Sequence, residues 1–95
     1  MKLNSYDCII LIFDVTNYES FLTIKEFWYP KTKEFPNINL IYLIGNKIDL
    51  ERKVPREEAM NFANENNLRY FETSYLTGEG IQEFFNDLVN EITKI

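Results

Sequence analysis

The tetrapeptide Asn46-Lys47-Ile48-Asp49 stands directly after the apolar run Leu40-Ile41-Tyr42-Leu43-Ile44 and Gly45. Three of its positions carry an amide, an ammonium and a carboxylate, a combination that arises by chance in a chain of this length with odds on the order of one per cent. A carboxylate accepts two neighbouring N–H donors side by side, which suits the edge of a nitrogen heterocycle. A second polar group, Glu72-Thr73-Ser74-Tyr75, closes another segment with apolar residues at its centre, Tyr70 and Phe71. Asn and Asp are also ordinary turn residues after a strand. Their meaning therefore depends on the elements that position them.

Cys8 to Phe13 is an unbroken β-branched-rich apolar run, the pattern of a parallel strand covered on both faces, and predicts a central strand over Tyr6 to Val15. Leu40 to Ile44 predicts a second buried strand ending at Gly45, and Arg69 to Thr73 a third. Asn17 is a candidate helix cap for a segment that sets Phe21, Ile24, Phe27 and Trp28 on one face, and Pro30 must kink or restart that helix. Pro55 suits a first helical turn before Ala59, Phe62 and Ala63, with Asn64 to Asn67 ending the segment. Ile81, Phe84, Phe85, Leu88, Val89 and Ile92 form one apolar stripe on a last helix. Three strands alternating with three helices predict an α/β fold with a parallel sheet, whose ligands bind at the carboxyl ends of the strands. The tetrapeptide is at such an end. The first strand and the last helix would each have an uncovered side.

Gly45-Asn46-Lys47-Ile48-Asp49-Leu50 resembles the guanine-specificity box of Ras-superfamily GTPases, and Glu72-Thr73-Ser74 resembles the second base-contacting loop of that family. Asp14-Val15-Thr16-Asn17 with Glu19-Ser20-Phe21 resembles the stretch after the preceding strand in Rab proteins. The likeness runs from about Tyr6 to the end. Guanine offers its ring N–H and exocyclic amine as adjacent donors, and Asp49 would accept both. By resemblance, Asn46 would bond the purine edge and brace the loop, and the Lys47 stem would lie over the base. Ser74 would hold Asp49, and the backbone N–H of Tyr75 would face the guanine oxygen. The family usually has a small Ala and then Lys after Ser74, whereas Tyr75 and Leu76 stand here, which removes one wall of the base site. Trp28-Tyr29-Pro30 and Phe35-Pro36-Asn37 look like the Rho pattern, while the short spacing from Asp49 through Pro55 to Glu72 favours Rab or Ras.

The 95 residues contain no G-x-x-x-x-G-K-[ST] phosphate loop and no Asp-x-x-Gly metal-side motif, and Gln82, the single glutamine, falls in the last helix pattern. The resemblance thus implies a partial fold of the P-loop GTPase type, one truncated domain over residues 1–95 with the amino-terminal strands, phosphate loop and magnesium ligands absent. Such a chain is expected to bind GTP or GDP weakly and not to hydrolyse GTP alone. Its full-length relatives would be membrane-traffic switches anchored by prenylation. The alternatives are a non-catalytic protein-interaction fragment and a Rho-type fragment. A bare strand edge over Tyr6 to Val15 predicts a homodimer through that edge or through the last helix.

Net charge -5 with no basic cluster argues against nucleic acid. Lys31 and Lys33 are followed by Glu34 and read as a solvated helix face. Cys8 is single and sits in an apolar run, as a small core residue of a reducing compartment does. The longest apolar run is too short for a membrane span, and no prenylation cysteine stands in Thr93-Lys94-Ile95. The expected location is cytoplasmic.

Overall fold

The first apolar run forms β1 (Cys8–Asp14) in a computed structural model that describes residues 8–93. Side chains branched at Cβ favour the extended backbone there because the pleat relieves their crowding. β2 (Leu40–Asn46) and β3 (Arg69–Thr73) follow, and both pairings are parallel in the order β1-β2-β3. The register sets Leu11 opposite Leu43, Phe13 opposite Gly45 and Ile44 opposite Phe71. β1 ends at Asp14 and not at Val15, although the Val15 N–H still donates to Asn46 O at 3.0 Å. β2 runs one residue past Gly45, so Asn46 belongs to the strand end itself. Tyr6 and Asp7 of the expected first strand, and the tail expected over Met1 to Tyr6, lie outside the described residues.

Alternation along the strands splits the interior in two. On one face Leu11, Phe13, Val15 and Leu43 pack with Phe21, Ile24, Val54, Ala59, Ala63 and Leu68. The Phe21 ring lies 5.1 Å from Phe13 and 5.9 Å from Phe62, and truncating such a ring costs about 3–5 kcal/mol. On the other face Tyr42 and Ile44 meet Phe84, with Phe71 and Leu88 beside them. Phe84 belongs to α4 (Ile81–Thr93). The Tyr42 hydroxyl donates to Asp87 Oδ2 at 2.7 Å, and Arg69 grips both Asp87 oxygens at 2.7 Å, so α4 is clamped to β2 and β3.

That clamp explains why β1 is not covered on both faces. Ile10 and Ile12 share a face with Tyr42 and Ile44 through the register, yet they are 40% and 49% exposed because α4 sits over the other two strands. The stripe on α4 is likewise only partly used. Phe84 is buried, Ile81, Leu88 and Ile92 are half-buried, and Phe85 and Val89 are exposed.

The first helical segment departs most from a regular pattern. Asn17 caps α1 (Tyr18–Thr23) by accepting from the Ser20 N–H at 3.4 Å. The chain then widens into a π-helical turn over Ile24–Trp28 and restarts at Pro30 as α2 (Tyr29–Lys31), followed by a 3-10 turn, Thr32–Glu34. A proline ring excludes the carbonyl four residues back, and a wider turn relieves that clash. The extra residue rotates Phe27 and Trp28 off the face of Phe21 and Ile24, so both are exposed. α3 (Arg56–Glu65) begins after Pro55, and the chain turns at Asn67, φ 58°, into buried Leu68. Among the described residues no helix is long and apolar enough to cross a membrane.

Candidate functional site

All three strands deliver polar residues to one edge of the sheet: Asp14 from β1, Asn46 from β2 and Thr73 from β3. Gly45 admits the close packing just beneath it. A Cβ there would stand 2.9 Å from the Phe13 ring and 3.1 Å from the Tyr70 hydroxyl.

Beyond Asn46 the chain reverses at Lys47, whose φ of 68° is left-handed. That conformation costs a side chain with a Cβ about 1–2 kcal/mol, so its use by lysine instead of glycine points to a task for the side chain. The turn closes through Leu50 N–H to Lys47 O at 3.0 Å, and the Ile48 N–H ties it to Thr73 O at 3.3 Å. The Asn46 Oδ1 accepts from the Thr73 hydroxyl at 3.1 Å. Asn46 therefore braces the two loops against each other.

The Ser74 hydroxyl donates to Asp49 Oδ1 at 2.7 Å and accepts from the Thr77 N–H at 3.1 Å. Ser74 is fully buried, so this exposed carboxylate is aimed by a group that cannot itself drift. Each carboxylate oxygen has about two acceptor positions, which leaves Asp49 able to take two further N–H donors. The Tyr75 backbone N–H donates to nothing among the described residues, and the Tyr75 side chain is exposed.

Lys47 Nζ lies 3.1 Å from Asp14 Oδ2. The other Asp14 oxygen accepts from the Thr16 N–H at 2.8 Å and the Thr16 hydroxyl at 2.6 Å. Burial opposes the Asp14 charge, but the Thr16 bonds and Lys47 outweigh it and hold its carboxyl below the usual aspartate value. Sequence reading placed Asp14 and Thr16 in a stretch of family likeness and gave them no part in the site. Their position at the carboxyl end of the first apolar run was the available signal.

The loop after Asp49 is held from below. Lys53 and Val54 N–H groups donate to Val15 O at 2.7 and 3.0 Å, and Arg52 bonds Glu72 through both nitrogens at 3.0 and 2.7 Å. Tyr70 also donates to Glu72, whose side chain is 5% exposed. Burial alone would raise the Glu72 carboxyl, yet the bonds from Arg52 and Tyr70 hold it below the ordinary glutamate value. Glu72 thus turns inward as a brace, while Ser74, two residues later, faces Asp49. The five residues singled out from sequence, Asn46, Lys47, Asp49, Ser74 and Tyr75, come together at one edge, and Asp14, Thr16 and Thr73 join them.

This set fits a planar base with adjacent donors. Within these 95 residues no glycine-rich phosphate loop is present to cradle phosphates, and no group of three or more acidic, Cys or His side chains among the described residues is placed to hold a metal ion.

A model of the Ras family matches residues 1–94. Ras-related protein Rab-4 of Dictyostelium discoideum is 44% identical over 81 residues, 81% of this chain and 38% of that protein. Ras-related protein Rab-13 of Canis lupus familiaris is 38% identical over 87 residues, 88% of this chain and 42% of that protein. GTP-binding protein ypt3 of Schizosaccharomyces pombe (strain 972 / ATCC 24843) is 37% identical over 89 residues, 90% of this chain and 41% of that protein. The chain spans about two fifths of the length of these curated relatives.

Proposed function

This chain belongs to the Ras family and is of Rab type, and we propose from that premise that it recognises the guanine base of GTP or GDP through Asp49. The observation that carries the reading is the 2.7 Å bond by which buried Ser74 aims the Asp49 carboxylate at the carboxyl edge of the sheet. Asp49 takes the ring N–H and the exocyclic amine, which adenine does not present as a pair. Asn46 braces the loop and meets the purine edge, the Lys47 stem covers one face, and the Tyr75 N–H donates to the guanine oxygen. In a longer protein of this type the nucleotide would work as a membrane-traffic switch, with phosphates and magnesium held by residues outside the matched portion.

The 95-residue chain itself is proposed to bind weakly and not to hydrolyse GTP. Phosphoryl transfer needs positioned phosphates, metal and water, and a base of about eleven heavy atoms at roughly 0.3 kcal/mol each supplies about 3 kcal/mol, which is millimolar binding or weaker. Titration with GDP and with ADP, followed by backbone amide NMR, tests this. Shifts at Ile48, Asp49 and Tyr75 with GDP alone are expected; equal shifts with ADP, or a submicromolar constant, would overturn it.

A second reading, a protein-interaction surface that makes a homodimer, rests on a different observation. Gln82, Phe85, Asn86, Val89, Asn90 and Thr93 are all exposed, all uncharged, and recur at i, i+3, i+4, i+7, i+8 and i+11 on α4. The acidic Asp87 and Glu91 face the other flank, toward Arg69. In a chain of net charge -5, a self-contact is least opposed where charge is missing. Among the described residues β1 pairs only with β2, so its outer edge offers a second place for another strand to add.

A further inference from the structure

A cleft of about 330 Å³ lies at the amino-terminal end of the sheet, where the chain enters β2 and β3. Leu40 and Asn46 stand at opposite ends of β2, about 20 Å apart at roughly 3.3 Å per residue, so the cleft is remote from the base site. One wall is the stretch from Tyr29 to Ile41. It is fixed by the Thr32 hydroxyl, which donates to Tyr29 O at 2.6 Å, by the Phe35 N–H to Thr32 O at 3.0 Å and by the Ile38 N–H to Phe35 O at 3.1 Å. The other wall is the end of α3, where the Asn66 and Leu68 N–H groups both donate to Ala63 O, at 3.2 and 2.8 Å. Walls closed by their own backbone bonds make the cleft preformed, and its volume falls within the range of ligand pockets, which begins at about 300 Å³.

The cleft runs against the charge of the chain. Acidic residues outnumber basic ones by 15 to 10, yet the described residues that line it include Lys33 and no carboxylate. Lys31 pairs with Glu34 at 3.7 Å, whereas no carboxylate among the described residues lies within ion-pair distance of Lys33. Lys33 Nζ stands instead over the Tyr29 ring, 4.9 Å from its centre, and an ammonium held on a ring face keeps N–H donors for an anion. Three carboxamides share the lining. Asn66 spends its N–H on Phe62 O at 2.9 Å and keeps its oxygen, while Asn39 and Asn67 are exposed with a donor and an acceptor each. Phe35, 54% exposed, and half-buried Ile38 add apolar surface. We propose that this cleft binds a short acidic segment of a partner protein, in which an Asp or Glu side chain beside an apolar residue reaches Lys33. The carboxamides match the N–H and C=O of the segment's backbone, which a simple carboxylate lacks, and the apolar neighbour lies against Phe35 and Ile38. The proposal is independent of the guanine reading.

Backbone amide NMR of the 95-residue chain during titration with acetyl-Leu-Glu-Leu-amide tests this, with acetyl-Leu-Gln-Leu-amide and isovalerate as comparisons. The blocked ends leave the glutamate as the sole charge of the first peptide. It is expected to shift the Lys33, Ile38 and Asn67 amides and to leave Ile48 and Asp49 in place. The glutamine peptide should bind about fivefold more weakly, the factor that one partly exposed ion pair supplies, and isovalerate more weakly still. Lys33→Gln should weaken the glutamate peptide by about the same fivefold factor at an unchanged melting temperature and erase the difference between the two peptides, while Lys33→Arg retains it. Equal affinity of the wild type for both peptides would overturn the role of Lys33. Isovalerate binding as tightly as the glutamate peptide would overturn the peptide assignment, and a spectrum in which those three amides stay still would remove the site.

Discussion

Glu72 sits two residues from the hydroxyl that aims Asp49, yet its carboxylate points into the protein, where Arg52, Tyr70 and, at 3.9 Å, Arg56 converge on it. Its pKa is lowered in the folded chain, so the unfolded chain binds the proton more readily. The stability it contributes is fully present above the unfolded value of about 4.3 and is lost as pH falls through the lower folded value. Glu72→Gln is expected to cost about 2 kcal/mol at neutral pH, less than breaking a fully buried pair because Arg52 is 32% exposed. Urea unfolding from pH 7 down to pH 3 should show the wild type converging on the variant at the acid end; parallel curves would remove Glu72 from that role. The motif Asn46-Lys47-Ile48-Asp49 was legible in the sequence because its residues are contiguous and follow a strand, and the Ser74 partner was legible only through the resemblance of Glu72-Thr73-Ser74 to the family's second base-contacting loop. The Asp14–Lys47 and Arg52–Glu72 pairs were not, since each joins residues at least 20 positions apart through the register of the sheet.

At the scale of elements, the three strands were readable as apolar runs bounded by turn residues, and the Asn17 cap and the restart at Pro30 followed from local chemistry. The π-helical turn was not readable, because it depends on how the clash at Pro30 is relieved across Ile24–Trp28. For β1 the apolar run alone suggested cover on both faces while the count of three strands suggested an uncovered side, and Ile10 and Ile12 are exposed: an apolar run reports what a strand could bury, and the clamp of Arg69 and Tyr42 on Asp87 decides where α4 lies. The loop between β3 and α4 carries a sharper constraint. Gly80 has φ +79°, and a Cβ there would lie 2.0 Å from Glu72 O, whereas Gly78, φ +86°, has nothing within 4 Å. Gly80→Ala is expected to destabilise the chain by about 2 kcal/mol or more and to disturb the Ser74–Asp49 bond, while Gly78→Ala costs about 1 kcal/mol. Denaturation midpoints of the two variants decide this, and equal losses would contradict the close approach.

The whole molecule leaves the β1 part of one sheet face, at Ile10 and Ile12, and one flank of its last helix without cover among the described residues, and uncovered apolar surface of this kind favours association. A closed two-fold contact would place α4 against its own copy. Sedimentation across concentration is expected to show a dimer that Phe85→Glu converts to a monomer; a monomer at every concentration would rule the contact out. The most direct test of guanine recognition is the base preference of Asp49→Asn, measured by NMR titration with guanosine and xanthosine monophosphates. Xanthine carries an oxygen where guanine carries its amine, and the asparagine amide donates where the aspartate accepts. The expected result is a reversal, guanine preferred by the wild type and xanthine by the variant. An unchanged preference after that substitution would contradict the assignment of Asp49 and, with it, the guanine site.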